Sequence, residues 1–451
     1  MSMSRRHFLA SKLALAATPL AFRSMASNPR FAIVDDTGGQ GPKPSDRVRR
    51  FEDMAFGLFV HWGLYSQIGA GEWVKKLHGI DLARYMELMK TFTAKDFSGR
   101  ALARVAKSAG MRYVTLTSRH HDGFSLYDTG GLSPYDVTKT PAGRDLIADF
   151  CVGCREEGIV PMLYCTTLDW TDERFDKDWK AYQEYLRASV RRLCTQYGPI
   201  GGFWFDGNLS KKDADWELDA LYAVIREHQP EALIINNTGL EQGGRLTHDE
   251  IDAVTFERGR PSPIDHSTMK KYVAGEMCLT FNQHWGIATK DFNLLSPAHV
   301  IEELLLCRRA GANLLMNVGP DAEGRVPDYE RAALARVGDW IRLHGGDDAL
   351  LYRGRPHGMS GSERDFALRR GDDIEAYVFD LTATATTLHG ASCRGPGKRR
   401  FEGIPEDYRR AHWLDDGSEA KLEREGDALI LDATKWRYGT NTVVRVARLS
   451  K

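Results

Sequence analysis

The run Gly201-Gly202-Phe203-Trp204-Phe205-Asp206-Gly207 decides the fold. A short, aromatic-rich apolar run is typical of a buried strand of a parallel sheet, and this one ends on a carboxylate followed by a glycine. In a parallel β/α barrel the carboxyl ends of the strands carry the active site, and a glycine there lets the backbone turn away. Asp206 is therefore a candidate nucleophile. The alternative is that Asp206 caps the next helix, because aspartate is also a common N-cap residue.

Around this run, strand-like segments alternate with amphipathic helical ones. The strand-like segments are Phe56–Gly63, Met111–Ser118, Ile159–Cys165, Gly201–Asp206, Ala232–Asn236, Met277–Phe281 and Asn313–Val318. The helical ones are Asp81–Met89, Gly99–Ser108, Asp145–Glu157, Trp179–Gln196, Trp216–His228 and Pro297–Ala310. This alternation predicts an α/β fold, a (β/α)8-like barrel rather than a doubly wound sheet. No Gly-x-Gly-x-x-Gly follows the first strand, so nothing supports a dinucleotide site.

The pattern changes beyond Trp340. From about Gly354 onward the chain shows short alternating segments separated by Gly, Asp and Pro turns, namely Phe366–Arg369, Ile374–Phe379, Ala428–Leu431 and Val443–Ala447. These segments predict a C-terminal antiparallel β-sandwich. The basic stretch Arg394–Arg400 is expected to be a solvated loop. We thus predict a catalytic barrel over residues 27–347 and a β-sandwich over residues 348–451.

The first 26 residues have the features of a twin-arginine export signal. Arg5 and Arg6 precede a short apolar run, Leu13–Phe22, and a small-x-small site at Ser24-Met25-Ala26. The apolar run is too short to span a bilayer. This order predicts a periplasmic or secreted protein. The alternative is a fortuitous basic start on a cytosolic protein.

Composition limits the classes of function. The chain has 451 residues, 42% hydrophobic and 27% charged, with a formal net charge of -1. This balance lacks the basic excess that nucleic-acid binding requires, so we expect no nucleic-acid partner and no membrane span. The seven cysteines are an odd number and indicate no obligatory disulfide framework. Assembly into a homo-oligomer stays open.

Polar and aromatic side chains recur where the predicted strands end. They are His61, Glu72, Trp73, His120, His121, Tyr164 and Asp206. A single histidine at a strand end is often structural, but this grouping predicts a site at the barrel mouth. Trp62, Trp73 and Trp204 could wall a sugar pocket, because pyranose faces pack on aromatic rings. We assign no chemistry to Asn313–Gly319.

Several blocks carry a resemblance to a known family. The blocks are Phe56–Ser66, Gly71-Glu72-Trp73, His120-His121-Asp122-Gly123-Phe124, Trp204-Phe205-Asp206-Gly207 and Asn313–Pro320. In this order they resemble the blocks of the α-L-fucosidases of glycoside hydrolase family 29. The resemblance implies a barrel with a C-terminal β-sandwich and hydrolysis of terminal α-L-fucose from glycans with retention of configuration. We expect no metal and no cofactor.

The resemblance also implies roles. Asp206 looks like the nucleophile, and the fucose hydroxyls would be held by His61, Glu72, Trp73, His120, His121 and Tyr164. Trp204, Arg245 and Trp285 complete the candidate substrate-binding set, and either Arg245 or Arg258 would act on the charge of the nucleophile. The acid/base would lie on a variable loop, where Thr255-Phe256-Glu257-Arg258 is similar to the family pattern and favours Glu257. Glu276 is the alternative, since Gly275-Glu276-Met277-Cys278 resembles a later block; Asp249, Glu250 and Asp252 are further candidates.

Two other classes of function stay open at this stage. A metal-dependent barrel hydrolase would place His61, His120, His121 and Asp206 around zinc. Adjacent His120 and His121 on an extended segment would point to opposite sides, which argues against a shared ion. A catalytically silent carbohydrate-binding protein would keep the aromatic wall and the histidines without a working acid/base.

Overall fold

The computed structural model describes residues 41–237, 243–359, 364–381, 394–437 and 439–451. These residues belong to one compact unit. Within these ranges, no helix is long and apolar enough to cross a membrane. The predicted export signal lies outside the described residues.

Eight parallel strands close into a barrel in chain order, with β1 hydrogen-bonded to both β2 and β8. The strands are β1 Phe56–Val60, β2 Tyr113–Arg119, β3 Val160–Thr166, β4 Gly202–Asp206, β5 Leu233–Asn236, β6 Ala253–Glu257, β7 Ala274–Thr280 and β8 Ala312–Val318. Their residues are almost all buried, because the barrel interior covers one face and the helices cover the other. The predicted barrel is confirmed.

The helices accompany the strands, and several begin at side chains that cap them. They are α1 Asp46–Glu52, α2 Val74–Leu77, α3 Leu82–Met86, α4 Gly99–Ser108, α5 Leu146–Glu156, α6 Arg174–Lys177, α7 Trp179–Gln196, α8 Leu218–His228, α9 Pro297–Arg309, α10 Asp328–Leu343 and α11 Leu350–Arg353. Ser98, Asp145, Asp178 and Ser296 each accept a backbone N–H of the first turn of α4, α5, α7 and α9. Two predicted helices, Gly99–Ser108 and Trp179–Gln196, coincide with α4 and α7.

Strand β6 was not predicted, although it completes the barrel. Its neighbour Asp252 gives the segment the charge expected of a loop, yet the Asp252 side chain is fully buried. Arg47, Arg226 and Lys271 form ion pairs with that carboxylate at 3.0, 2.9 and 3.1 Å. A buried charge is tolerated when it is paired in this way, and only the tertiary structure supplies the partners.

The C-terminal part forms two antiparallel sheets. A five-stranded sheet has the order β13-β16-β11-β10-β9 and a three-stranded sheet the order β12-β15-β14. The strands are β9 Arg355–Met359, β10 Phe366–Arg370, β11 Asp373–Val378, β12 Arg394–Phe401, β13 Arg410–Trp413, β14 Leu422–Glu425, β15 Ala428–Lys435 and β16 Arg445–Ser450. Apolar residues of both sheets, such as Ile374 and Leu431, form one core, which confirms the β-sandwich.

The expectation that Arg394–Arg400 is a solvated loop is wrong. The stretch is strand β12, which pairs with β15. Its basic side chains meet acidic partners across the sheet: Lys398 Nζ lies 2.5 Å from Glu423 and Arg400 Nη1 lies 3.4 Å from Glu425. These pairs join β12 to β14 over the exposed face of β15, so the basic side chains stay at the surface while the backbone of the run pairs with β15.

Candidate active site

Asp206 ends β4 at the mouth of the barrel. The next residue, Gly207, has φ +109°, and a Cβ at that position would lie 2.7 Å from the backbone nitrogen of Leu168. Only glycine fits this turn. The short 3-10 helix Asn208–Lys211 begins at Gly207, so Asp206 is not its capping residue, and the helix-cap interpretation is wrong.

Three side chains hold the Asp206 carboxylate. Tyr164 Oη donates to Oδ2 at 2.9 Å, Asn237 Nδ2 donates to Oδ1 at 3.3 Å, and His121 Nε2 lies 3.4 Å from Oδ2. Burial alone would raise the pKa of Asp206, but His121 and the donors Tyr164 and Asn237 outweigh it and lower the pKa below its usual value. The carboxylate is therefore anionic and fixed in position.

Glu257 ends β6, two strands from Asp206 around the barrel. Its Oε2 accepts a hydrogen bond from the same Asn237 Nδ2, at 2.8 Å. The two carboxylates thus share one donor nitrogen, so their bonded oxygens can be no farther apart than the sum of 3.3 and 2.8 Å. Burial is the main cause that raises the pKa of Glu257, and the charge of Asp206 adds to it, although the Asn237 hydrogen bond opposes the shift.

The expectation that Glu257 lies on a variable loop is wrong. The residue belongs to a barrel strand, where Glu257 is in register with Cys278 of β7. Arg258 follows with φ +54°, and its guanidinium lies 5.2 Å from the centre of the Trp285 ring. The chain therefore leaves the barrel sharply after Glu257, and the carboxyl stays at the mouth.

Glu276, the alternative acid/base, lies inside the barrel. Its side chain is fully buried in β7, where Tyr113 Oη and Trp204 Nε1 donate to its two oxygens at 2.7 and 2.8 Å. Burial raises the pKa of Glu276 to about 7. Both oxygens already accept hydrogen bonds from core side chains, so this carboxyl stabilises the core beneath the site.

We expect Glu276→Ala to lower the free energy of unfolding by about 2–4 kcal/mol, because it leaves the Trp204 N–H unsatisfied in the core and creates a cavity. Urea unfolding of the variant measures this loss. The folded fraction should retain the wild-type dependence of activity on the leaving group of the substrate. A variant of unchanged stability that responds steeply to the leaving group would contradict this placement.

The further candidates Asp249, Glu250 and Asp252 have other surroundings. Asp252 forms the buried ion pairs beneath β6, Glu250 lies 2.7 Å from Arg226, and Asp249 is exposed. The hydrogen bond from Arg226 lowers the pKa of Glu250, which is the wrong direction for a group that must hold a proton. These carboxylates therefore suit the acid/base role less well than Glu257 does.

Arg245, a predicted substrate-binding residue, lies in the connection between β5 and β6. It is exposed and follows Gly244, whose backbone N–H donates to the carbonyl of Thr255 on β6 at 2.9 Å. The backbone beside Arg245 is thus attached to the strand that carries Glu257. Its role in substrate binding stays a prediction.

His61 follows β1 and is held in one tautomer. Asn317 Nδ2 donates to the carbonyl of Trp285 at 2.7 Å, so the Asn317 oxygen faces His61 Nδ1, also at 2.7 Å. Nδ1 therefore carries the proton and Nε2 is an acceptor. Burial lowers the pKa of His61 to about 3, which keeps the ring neutral. A neutral acceptor of this kind suits a sugar hydroxyl.

His120 and His121 lie on the same side of the chain, so the expectation that they point apart is wrong. β2 ends at Arg119 and both histidines belong to the turn that follows, where their ring centres are 4.2 Å apart. His121 Nδ1 contacts Thr166 Oγ1 at 2.6 Å, and His120 stacks on Tyr164 at 5.6 Å. Among the described residues, His120 Nδ1 is buried without a hydrogen-bond partner.

Glu72, Trp73 and Trp285 form another side of the mouth. Glu72 Oε2 accepts the backbone N–H groups of Trp285 and Gly286, both at 2.9 Å. The Trp285 ring lies 5.1 Å from His61, and the Trp73 ring lies 5.7 Å from His121. Trp73 remains 39% exposed, so its face is available to a ligand.

The other two predicted wall residues are core residues. Trp204 is 2% exposed and Trp62 is 1% exposed. Trp62 stacks on Phe97 at 4.8 Å and donates to the carbonyl of Asp321, away from the site. Trp204 lies beneath Tyr164, with their rings stacked at 5.7 Å. Trp204 thus supports the site from below and does not line its surface.

Three residues that organise the site were not predicted from the sequence: Asn237, Asn317 and Thr166. Asn237 and Asn317 lie just after β5 and near the end of β8, the same strand-end position that identified the other candidates. Asn317 was assigned no chemistry, yet it orients His61. An amide side chain at the end of a predicted strand indicates a site residue in the same way as a histidine there. The sequence could therefore have identified Asn237 and Asn317.

The side chains of the site can also be compared with the ligand sets that bind metal ions. In the part of the chain that the structure describes, no three His, Cys, Asp or Glu side chains converge as metal ligands do. The site instead combines an anionic aspartate, a glutamate of raised pKa, neutral imidazole and exposed indole at the mouth of a parallel barrel. Two carboxyl groups that share a donor and have opposite pKa shifts at the mouth of such a barrel are typical of the glycoside hydrolase class.

Comparisons with known proteins identify the family. The family model described as alpha-L-fucosidase matches residues 42–346, so the chain belongs to the α-L-fucosidase family. An alpha-L-fucosidase of Branchiostoma floridae is 24% identical over 396 residues, which cover 80% of this chain and 84% of the relative. The tissue alpha-L-fucosidase of Rattus norvegicus is 25% identical over 68% of this chain and 70% of its own.

Solved structures agree with the assignment. Alpha-L-fucosidase isoenzyme 1 from Paenibacillus thiaminolyticus is 29% identical, with a TM-score of 0.76 over 90% of this chain and 98% of its own. A Bacteroides thetaiotaomicron α-L-fucosidase of glycoside hydrolase family 29, trapped as a covalent intermediate, is 21% identical with a TM-score of 0.73 over 93% of this chain and 99% of its own. At that identity the second likeness shows the shared fold.

Proposed function

We propose that this protein is a retaining exo-α-L-fucosidase that hydrolyses terminal α-L-fucosyl linkages of glycans or glycoconjugates. Asp206 is the nucleophile and Glu257 the acid/base. The observation that carries the proposal is the pair of carboxyl groups joined by Asn237, one with a lowered pKa and one with a raised pKa. Retaining glycosidases need such a pair at about 5–5.5 Å.

The reaction has two displacements. In the first, an Asp206 oxygen bonds to the anomeric carbon, the bond from that carbon to the leaving oxygen breaks, and the Glu257 proton passes to the leaving oxygen. In the second, water attacks the anomeric carbon, Glu257 takes a proton from the water, and the bond to Asp206 breaks. Fucose leaves with its original configuration, and both carboxyl groups return to their starting states.

The remaining side chains bind the sugar. His61 has a neutral acceptor nitrogen, His120 has a buried nitrogen without a hydrogen-bond partner in the described part of the chain, and Glu72 accepts the backbone N–H of Trp285. Hydroxyl groups need such donors and acceptors, while the apolar faces of the ring and its methyl group pack on indole rings. The relatives support fucose as the sugar, because they are named as fucosidases and one was trapped with 2-fluoro-fucosyl fluoride.

The decisive test is turnover with product stereochemistry. The purified protein is incubated with 4-nitrophenyl α-L-fucoside and with the corresponding β-L-fucoside and α-L-rhamnoside, and the first-formed sugar is followed by proton NMR. We expect turnover of the α-fucoside alone, with α-L-fucose appearing before the β-anomer. Fucose binding without turnover would indicate a carbohydrate-binding protein, and first-formed β-L-fucose would contradict the covalent mechanism.

We also propose that residues 1–26 direct export through the twin-arginine route, on the order of basic pair, apolar run and small-residue site in the sequence. Replacing Arg5 and Arg6 by lysine should leave the full-length precursor in the cytoplasm, because the arginine pair is the feature that the route recognises. Cell fractionation with immunoblotting measures this. Equal export of the variant and the parent would contradict the proposal.

A further inference from the structure

Asn237 follows β5, the strand between those that carry the two carboxyl groups. Its backbone N–H donates to the carbonyl of Phe205, the residue before Asp206, at 2.8 Å. Its side chain lies at the barrel mouth, and the residue is 7% exposed. Because β4, β5 and β6 are neighbours, this position can reach Asp206 and Glu257 at once.

The orientation of the Asn237 amide is fixed. Thr255 Oγ1 donates to Asn237 Oδ1 at 3.0 Å, which turns the nitrogen toward the carboxyl groups. Nδ2 has two protons, and its contacts to Asp206 Oδ1 and Glu257 Oε2 use both. The reverse orientation would set the amide oxygen against a carboxylate, which is repulsive.

We propose that Asn237 is a positioning residue of the reaction, which stabilises the negative charge on whichever of the two carboxyl groups carries it. The proposal rests on the function given above for Asp206 and Glu257. During fucosylation Asp206 loses its charge to the new ester bond and Glu257 gains a charge as its proton leaves; hydrolysis reverses this. One amide nitrogen donates to both oxygens, so each anion has a donor without movement of the backbone.

A second consequence concerns the position of the proton. Since Glu257 Oε2 accepts from Asn237, the proton of the neutral acid belongs on Oε1. Oε1 is then the oxygen that donates to the leaving group. Asn237 therefore selects the catalytic oxygen of Glu257.

The expected sign of the pH effect follows from the contacts. Asn237→Ala removes a donor from the anionic form of each carboxyl group, so both should hold their protons to higher pH. The other groups that act on the pair stay in place, namely His61, Glu72, His121, Tyr164, Arg258 and Cys278. Both limbs of the kcat/KM profile should therefore move to higher pH, since that profile reports the free enzyme.

The experiment compares Asn237→Ala and Asn237→Asp with a matched control, Asn236→Ala. Asn236 donates to Tyr222 Oη at 2.8 Å and does not take part in the proposed reaction. We expect kcat to fall about 10²–10³-fold in the Asn237 variants, as for the loss of one transition-state donor. Both limbs of their kcat/KM profiles should lie at higher pH than in the wild type. The control should have the same pH dependence of kcat/KM as the wild type even if its melting temperature falls. Superimposable profiles for Asn237→Ala and the wild type would overturn the proposal.

A measurement independent of turnover separates this proposal from the proposed function. Carboxyl carbon NMR titration of the wild type and Asn237→Ala should show higher pKa values at positions 206 and 257 in the variant, whether or not fucosides are hydrolysed. If Asn237→Ala does not fold, Thr255→Val removes the hydroxyl that orients the amide, and we expect a smaller shift in the same direction. Unchanged titration in the folded variant would refute the role of Asn237.

Discussion

Asp206→Ala is expected to lose several powers of ten in kcat toward an aryl α-L-fucoside, because the variant has no carboxylate to form the covalent intermediate. The same change also removes the negative charge that stabilises the oxocarbenium-like transition state. Steady-state kinetics with 4-nitrophenyl α-L-fucoside measure the loss. A variant that keeps more than about one hundredth of the wild-type kcat would contradict the assignment.

Small anions give this experiment a second readout. Azide fits the space left by the carboxylate and can attack the anomeric carbon from the same face, so the rescued product should be β-L-fucosyl azide. Tyr164→Phe is the matched control, since it removes one hydrogen bond to Asp206 and keeps the nucleophile. We expect its activity to fall by about 10–100-fold, in line with one lost charged hydrogen bond of about 1.5–3 kcal/mol, and azide should not restore it.

The position of Asp206 could be predicted because it depends on local sequence. An apolar strand, a terminal carboxylate and a glycine with positive φ are adjacent in the chain, and the barrel topology places that end at the mouth. Glu257 could be named only by resemblance. Its strand β6 follows a buried aspartate whose three basic partners, Arg47, Arg226 and Lys271, are far apart in the sequence.

The direction of side chains near strand ends is the second feature that the sequence did not predict. The two adjacent histidines were expected to point apart because successive residues of a strand do so, but β2 ends one residue earlier and the turn brings their rings together. Likewise, Trp204 and Trp73 are equally aromatic in the sequence, yet one is in the core and the other at the mouth. A shift of one residue at the end of a strand changes which face a side chain occupies, so burial at such positions needs the tertiary structure.

Glu257→Ala should show a different pattern from Asp206→Ala. Burial and the nearby charge of Asp206 raise the pKa of Glu257, so the wild type keeps it protonated over the pH range in which Asp206 is already ionised. Substrates with a poor leaving group need that proton and should lose about 10²–10⁴-fold in kcat/KM. Activated aryl fucosides should lose much less. The descending alkaline limb of the profile, which reports deprotonation of Glu257, should disappear.

The azide product also distinguishes the two carboxyl groups. In Glu257→Ala the covalent intermediate still forms on Asp206 from an activated substrate, but water attacks it slowly without a base. Azide needs no base, so it should accelerate turnover and give α-L-fucosyl azide, the retained product. Glu250→Ala, which removes a carboxylate paired with Arg226, serves as the control and should behave as the wild type. Equal losses on poor and activated substrates, or a β-azide, would show that Glu257 is not the acid/base.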